Sequence, residues 1–159
     1  MPFEHESAMF HIALLEPEIP PNTGNIIRLC VAAEATLHVI GRAGFPLGER
    51  TARRAAVDYW EELTIHRHAS LEEFEAQCGA GRIFCVSAHA ATRYTDISYR
   101  AGDALLFGCE SKGLPQAVVQ RYGGRALCIP MPSGKVRSLN LANAVSIVLY
   151  EALRQVNGW

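Results

Sequence analysis

Short apolar runs and segments of helical period succeed one another along this chain. Residues 10–15 (FHIALL) form an unbroken apolar run, as expected of a strand buried on both faces. Residues 36–40 (TLHVI), 82–87 (RIFCVS), 103–108 (DALLFG) and 126–129 (ALCI) repeat the pattern, and a further strand is predicted over 62–66. Between them the period becomes helical. Ile26, Ile27, Cys30, Val31 and Ala33 fall on one face of a helix over 24–34, with Asn22 or Thr23 as its cap. Helices are also predicted over 51–57, 71–78 and 114–121, the last with Pro115 in its first turn, where a missing amide costs nothing. The final helix runs from 139 to about 156. Leu141, Ala144, Val145, Val148 and Ala152 mark one face of it, and Ser138 stands at its N-cap. Leu139, Ile147, Leu149 and Leu153 fill other faces, and a helix apolar nearly all round is buried in a core or a subunit interface. Asn140 and Asn143 in its first turns must have partners. Two readings of this stretch stay open: internal capping, or one wall of a ligand site.

Strands alternating with helices predict an α/β domain with a mainly parallel sheet and helices on both faces. Ligands of such sheets bind beyond the carboxyl ends of the strands. Three loops leave predicted strands with conspicuous chemistry: PPNTGNIIR after the first, GCESKGLP after the fifth and PMPSGKVRSLN after the sixth.

Composition narrows the class. Apolar residues are 49% of 159 positions and charged residues 19%, which supports a buried core and argues against disorder. No apolar run approaches the ~20 residues of a membrane span, so no membrane partner is expected. The polar opening MPFEHESA does not read as a secretory signal. Residues 1–8 read as a flexible extension and 9–159 as one domain. Cys30, Cys78, Cys85, Cys109 and Cys128 are odd in number, widely spaced and without a CxxC, which predicts free, mostly buried thiols in a reducing cytoplasm. A net charge of −1 argues against binding nucleic acid through total charge. A local patch of Arg42, Arg50, Arg53 and Arg54 remains, which composition alone would assign to a solvated loop.

Several familiar chemistries fail on spacing. GCESKG (108–113) begins like a P-loop but continues Leu114-Pro115 instead of Lys and Ser or Thr, and it misses the serine-hydrolase elbow by one residue. No GxGxxG follows the first strand. His66 and His68, two apart at a strand end with no set of carboxylates or thiols, are expected at the surface and not on a metal. What remains is main chain. Gly108 and Gly113 allow a ligand close to the backbone, and Pro130, Met131 and Pro132 make a stiff apolar ledge suited to a flat uncharged ring such as adenine. Asn25 and Arg28, three apart on one helix, share a face, and the forked cation of arginine suits phosphate.

Taken together, PPNTGNIIRLC (20–30), LFGCESKGLP (106–115) and IPM...VRSLNLANAVSIVLYEALRQ (129–155) resemble the SPOUT superfamily of methyltransferases. The resemblance is closest to the small tRNA 2'-O-methyltransferases of TrmL type, which modify the wobble nucleotide, cytidine or uridine 34. It spans residue 9 to the C-terminus. Cys109 stands where a small residue or proline is more usual, and Ala142 replaces a frequent serine. The resemblance implies a SPOUT fold in which the C-terminal part is threaded through a loop as a trefoil knot, against the usual rule that connections do not thread. It implies S-adenosylmethionine bound in the knot, with contacts carried over to Val86, Gly108, Ile129, Ser138 and Leu139. It further implies a homodimer pairing the first and last helices, and the tRNA anticodon stem-loop as substrate.

The implied reaction moves a methyl group from a sulfonium to a ribose 2'-hydroxyl, and the sulfonium is a good enough leaving group that no metal is needed. The catalytic set carried over is Arg28, Asn25, Glu110, Ser138 and Asn140. Arg28 stands at the hydroxyl or its adjacent phosphate and acts by positioning and electrostatics, because arginine stays protonated. Asn25 and Glu110 orient Arg28 and the nucleotide, while Ser138 and Asn140 hold the loop and cofactor. Tyr150 either reaches RNA from the partner subunit or packs the interface. Lys112 and Lys135 join the arginine patch as an RNA surface. Three rivals remain: a ribose methyltransferase for ribosomal RNA or another tRNA position, a non-catalytic nucleotide-binding dimer, and a hydrolase using Ser111, disfavoured for want of a paired histidine and acid.

Overall fold

The computed structural model describes residues 8–44, 63–79 and 81–159. The N-terminal extension, the helix expected over 51–57 and the arginines at 50, 53 and 54 lie outside the described residues. Among the described residues there are seven strands: β1 (His11–Leu15), β2 (Thr36–Ile40), β3 (Ile65–His68), β4 (Ile83–Val86), β5 (Thr92–Arg93), β6 (Ala104–Phe107) and β7 (Ala126–Cys128). They form one sheet in the order β3-β2-β1-β6-β4-β7-β5. Every pairing is parallel. Four α-helices, α1 (Pro20–Ala33), α2 (Leu71–Cys78), α3 (Gln116–Tyr122) and α4 (Leu141–Asn157), and a short 3-10 helix (Gly123–Arg125) complete the described chain. β5 is an addition to the predicted set. Its two residues pair only with β7, too short a ladder to show as an apolar run.

The period of two along each strand divides the core. Ile12, Leu14, Phe84, Leu105 and Phe107 pack on one face against Ile26 and Ile27 of α1 and Val145, Val148 and Leu149 of α4. Ala13, Ile40, Cys85 and Leu106 pack on the other against Leu71 and Phe74 of α2. Helices thus cover both faces, as expected. β7 enters the sheet between β4 and β5, two strands laid down earlier in the chain. This brings the carboxyl ends of β4, β6 and β7 side by side.

Helix boundaries correct three expectations. α1 begins at Pro20, four residues early, so Asn22 and Thr23 are buried within its first turn and cap nothing. Its N-cap Ile19 offers no side-chain bond, and Pro20 and Pro21 have no amides to satisfy. α4 begins at Leu141, not Leu139, and its cap is Asn140 in place of Ser138: the Asn140 side chain accepts from the Asn143 amide at 3.2 Å. Pro115 directly precedes α3 as its N-cap residue. α2 follows its prediction, with Ser70 accepting from the Glu73 amide and Glu73 accepting from the Ala69 amide.

The histidines overturn a further expectation. His68 is not at the surface but 4% exposed, beside His38 at 0% and His11 at 8%. His11 Nδ1 lies 3.0 Å from His38 Nε2, and His38 Nδ1 lies 2.9 Å from His68 Nε2. A neutral imidazole carries one N–H, so His38 donates to one neighbour and accepts from the other. Burial, then the imidazoles around it, push His38 down to about 2. Burial also lowers His11 and His68.

Candidate active site

A cavity of about 550 Å³ opens beyond the carboxyl ends of β4, β6 and β7, a volume suited to a cofactor-sized ligand. Val86, Ser87, Ala88 and His89 line it from the end of β4, and residues 107–114 from β6 and its loop. Ile129 and Met131 follow β7, and Arg137, Ser138, Leu139, Asn140, Leu141 and Ala144 lead into α4. Ile19 and Asn22 close it from the start of α1.

The β6 loop owes its shape to glycine. A Cβ on Gly108 would lie 2.1 Å from the carbonyl carbon of Gly113 and 2.3 Å from the nitrogen of Leu114. The space that the sequence reading reserved for a ligand beside Gly108 is therefore filled by the loop's own return. Gly113 has φ of +65°, the left-handed region that glycine reaches without strain, and its amide donates to the Cys109 carbonyl at 2.9 Å. The loop is thus a tight hairpin bearing Cys109, Glu110, Ser111 and Lys112.

Two side-chain connections tie the site together. Asn140 Nδ2 donates to Asn22 Oδ1 at 3.0 Å, joining the starts of α4 and α1. Glu110 accepts from the amide of Glu18 at 3.1 Å and from the amide of Ile19. It thereby holds the two residues that lead into α1, whose own first free amides, of Asn22 and Thr23, donate to the Ile19 carbonyl.

All five residues expected to hold the cofactor, Val86, Gly108, Ile129, Ser138 and Leu139, line this one cavity. So do Glu110, Asn140 and Lys112, and Met131 of the expected ledge. Asn25 and Arg28 do not: both are exposed on α1, outside the lining. Lys135 and Arg42 are also exposed and outside it. Sequence reasoning missed Asn22, Arg137 and His89 as lining residues. Asn22 was visible as a polar residue in a conspicuous loop but was taken for a cap. His89 follows β4 directly, and its position at a strand's carboxyl end was the signal available.

The thiols divide by position. Burial pushes Cys30 and Cys78 up to about 12 and Cys85 to about 11, which keeps them protonated and unreactive. All five cysteines are free, and Cys109 alone of them lines the cavity. Among the described residues no group of histidines, cysteines and carboxylates is arranged to hold a metal ion. No described helix is long and apolar enough to cross a membrane.

Residues 9–150 match the model of the SpoU rRNA Methylase family. The chain is 42% identical over 149 residues to a tRNA (cytidine(34)-2'-O)-methyltransferase of Escherichia coli (strain K12), covering 93% of this chain and 94% of that one. A solved structure described as giving structural insights into the 2-OH methylation of C/U34 on tRNA superposes with a TM-score of 0.89 at 43% identity, over 97% of this chain and 100% of that one. An AdoMet-bound rRNA methyltransferase from Sinorhizobium meliloti superposes with a TM-score of 0.81 at 31% identity, over 94% of this chain and 57% of that one.

Proposed function

The chain belongs to the SpoU rRNA methylase family, and we propose that it methylates the ribose 2'-hydroxyl of the wobble nucleotide, position 34, in the tRNA anticodon loop. The observation that carries this reading is the gathering of Val86, Gly108, Ile129, Ser138 and Leu139 around one cavity at the carboxyl ends of three strands. The full-length similarity to the E. coli tRNA enzyme supports the choice of tRNA over ribosomal RNA.

The cavity suits S-adenosylmethionine. Val86, Ile129, Met131 and Leu139 present apolar surface for an uncharged ring, and Lys112 and Arg137 bring cations for a carboxylate. When bound there, S-adenosylmethionine would supply a methyl group on a sulfonium that leaves as a neutral thioether. The chain's own work is alignment and charge. Asn22, Asn25 and Arg28 recur every three residues, so they climb α1 from the cavity rim outward. At 1.5 Å per residue, Arg28 stands about 9 Å along the axis from Asn22. That spacing suits a residue that meets the acceptor nucleotide and not the cofactor. Its fixed cation would steady the 2'-oxygen or its neighbouring phosphate. Asn25 would orient the same nucleotide. Glu110 anchors the helix that carries both, and Asn140, through Asn22, fastens α1 to α4.

The insertion of β7 between β4 and β5 supports a threaded, knotted C-terminal part. Tyr150 on α4 and Ile19 before α1 are 44% and 45% exposed, which supports a homodimer through these neighbouring helices. Lys112, Lys135 and Arg42 are exposed, which supports their joining an RNA-binding surface, and the free thiols support a reducing cytoplasm. Calorimetry tests the cavity reading: S-adenosylmethionine should bind saturably at one site per chain, and absence of binding by it and by its demethylated product would refute the proposal.

A further inference from the structure

Two carboxylates, Glu110 in the cavity wall and Glu18 behind it, cross-link two loops. From the loop after β6, Glu110 accepts from the amides of Glu18 and Ile19. From the loop after β1, Glu18 Oε1 accepts from the Ser111 amide at 3.1 Å and from the Ser111 hydroxyl at 2.6 Å. The partners are more than ninety residues apart in the chain, so no local preference brings them together. Like charges at this range repel unless each is met by donors. Here the donors are present, and hydrogen bonds from Cys109 and Ser111 hold the Glu18 carboxyl below its ordinary value.

The clasp has a direction. Ile19, Glu110 and Ser111 line the cavity, but Glu18 does not. Glu18 therefore touches the wall from outside, where it can act on a bound ligand only through Ser111 and its neighbours. On its own side it lies two residues before α1, the helix that carries Asn25 and Arg28. On the other side it holds the hairpin made by Gly108 and Gly113. A loop facing the methyl donor and a helix facing the acceptor are thus joined by Glu18, Ser111 and Glu110.

We infer that Glu18 is a positioning residue for methyl transfer: through Ser111 it fixes the β6 loop against the start of α1, and so sets the separation between the donor cavity and Arg28. This rests on the methyl-transfer reading above. In-line transfer is sensitive to such separation, since a displacement near 1 Å can cost about a hundredfold in rate.

The test compares kcat, KM, S-adenosylmethionine Kd and Tm for wild type, Glu18→Ala, Glu18→Gln and Ser111→Ala on unmodified tRNA. Glu18→Ala should lower kcat by about tenfold or more while leaving Kd for S-adenosylmethionine within about threefold. Glu18→Gln keeps an oxygen able to accept both Ser111 bonds and should recover kcat to within about threefold of wild type. Ser111→Ala should fall between, and should cost nothing further in the Glu18→Ala background. Wild-type kcat in Glu18→Ala, or equal impairment of Glu18→Gln and Glu18→Ala, would overturn the inference. So would a Kd that weakens in step with kcat. If Glu18→Ala does not fold, Glu18→Leu decides, because it keeps the aliphatic stem and removes the acceptor of both the Ser111 amide and the Ser111 hydroxyl, so that wild-type kcat in it is incompatible with the clasp. The two failures separate: absence of transfer by wild type refutes the methyl-transfer reading, whereas an active wild type beside unimpaired variants refutes only the role of Glu18.

Discussion

The buried histidine chain makes the fold sensitive to acid in a way that can be worked out. His38 has no exposed surface and is held down to about 2 by burial and by its neighbours His11 and His68. A histidine depressed in the folded state favours folding while neutral. Its contribution is complete above the ordinary value of 6.5 and is lost as pH falls below it, because the unfolded chain takes up a proton that the folded chain refuses. At pH 5, 1.5 units below the ordinary value, His38 alone costs about 2 kcal/mol of stability, at 1.36 kcal/mol per unit. For a domain of this length that corresponds to a Tm lower by about 4–8 °C. His11 and His68 are displaced in the same direction, so the whole loss is larger. The assay is thermal unfolding by circular dichroism at pH 7.5 and pH 5, for wild type and for His38→Gln. The amide of Gln can donate to one neighbour and accept from the other, as the imidazole does, but it does not titrate. Wild type should lose about 2 kcal/mol more than the variant between the two pH values. Equal acid losses in both proteins, or a wild type no less stable at pH 5, would refute a neutral buried chain.

Other expectations follow from the site. Arg28→Ala should reduce methyl transfer by about a hundredfold or more and leave S-adenosylmethionine binding intact, measured by methyl incorporation beside calorimetry. Joint loss of both would make Arg28 structural. Gly108→Ala sets a methyl against the Gly113–Leu114 backbone and should weaken S-adenosylmethionine binding by about tenfold or more, read by calorimetry; unchanged affinity would mean that the hairpin can open without harm. Asn140→Ala removes the α4 cap and the bond to Asn22, and should cost about 1–2 kcal/mol in urea unfolding. Arg82→Ala leaves Asp103, whose side chain is 4% exposed, without its ion pair at 2.6 Å, and should cost about 3 kcal/mol or more in the same assay.

What was legible in the sequence was what neighbouring residues decide. FHIALL and DALLFG announced central strands because both their faces are buried, and the sheet is parallel throughout as their runs implied. Three loops at strand carboxyl ends drew attention to Gly108 and Met131, whereas Val86, Ile129, Ser138 and Leu139 came as cofactor contacts from the family resemblance; all six line one cavity. What stayed hidden depends on partners distant in the chain. α1 starts at Pro20, and the residues leading into it, Glu18 and Ile19, are held by Glu110 more than ninety positions away, which no local pattern shows. Asn140 displaces Ser138 as cap since its amide also reaches Asn22, 118 residues away. His68 looked solvated because its hydrogen-bonded neighbour His38 stands on another strand. β5 escaped notice because two residues carry no period. Arg28 and Asn25 were chosen by a shared helix face and by resemblance, and both are exposed on α1, outside the cavity lining.

The most direct test of the account is to map methylation on an unmodified tRNA transcript incubated with the purified protein and S-adenosylmethionine. A 2'-O-methyl group protects its own phosphodiester from alkaline cleavage, so the modified nucleotide appears as one gap in the ladder. A single gap at nucleotide 34 is expected with wild type and none with Arg28→Ala. A complete ladder with wild type, or a gap at any other nucleotide, would contradict it.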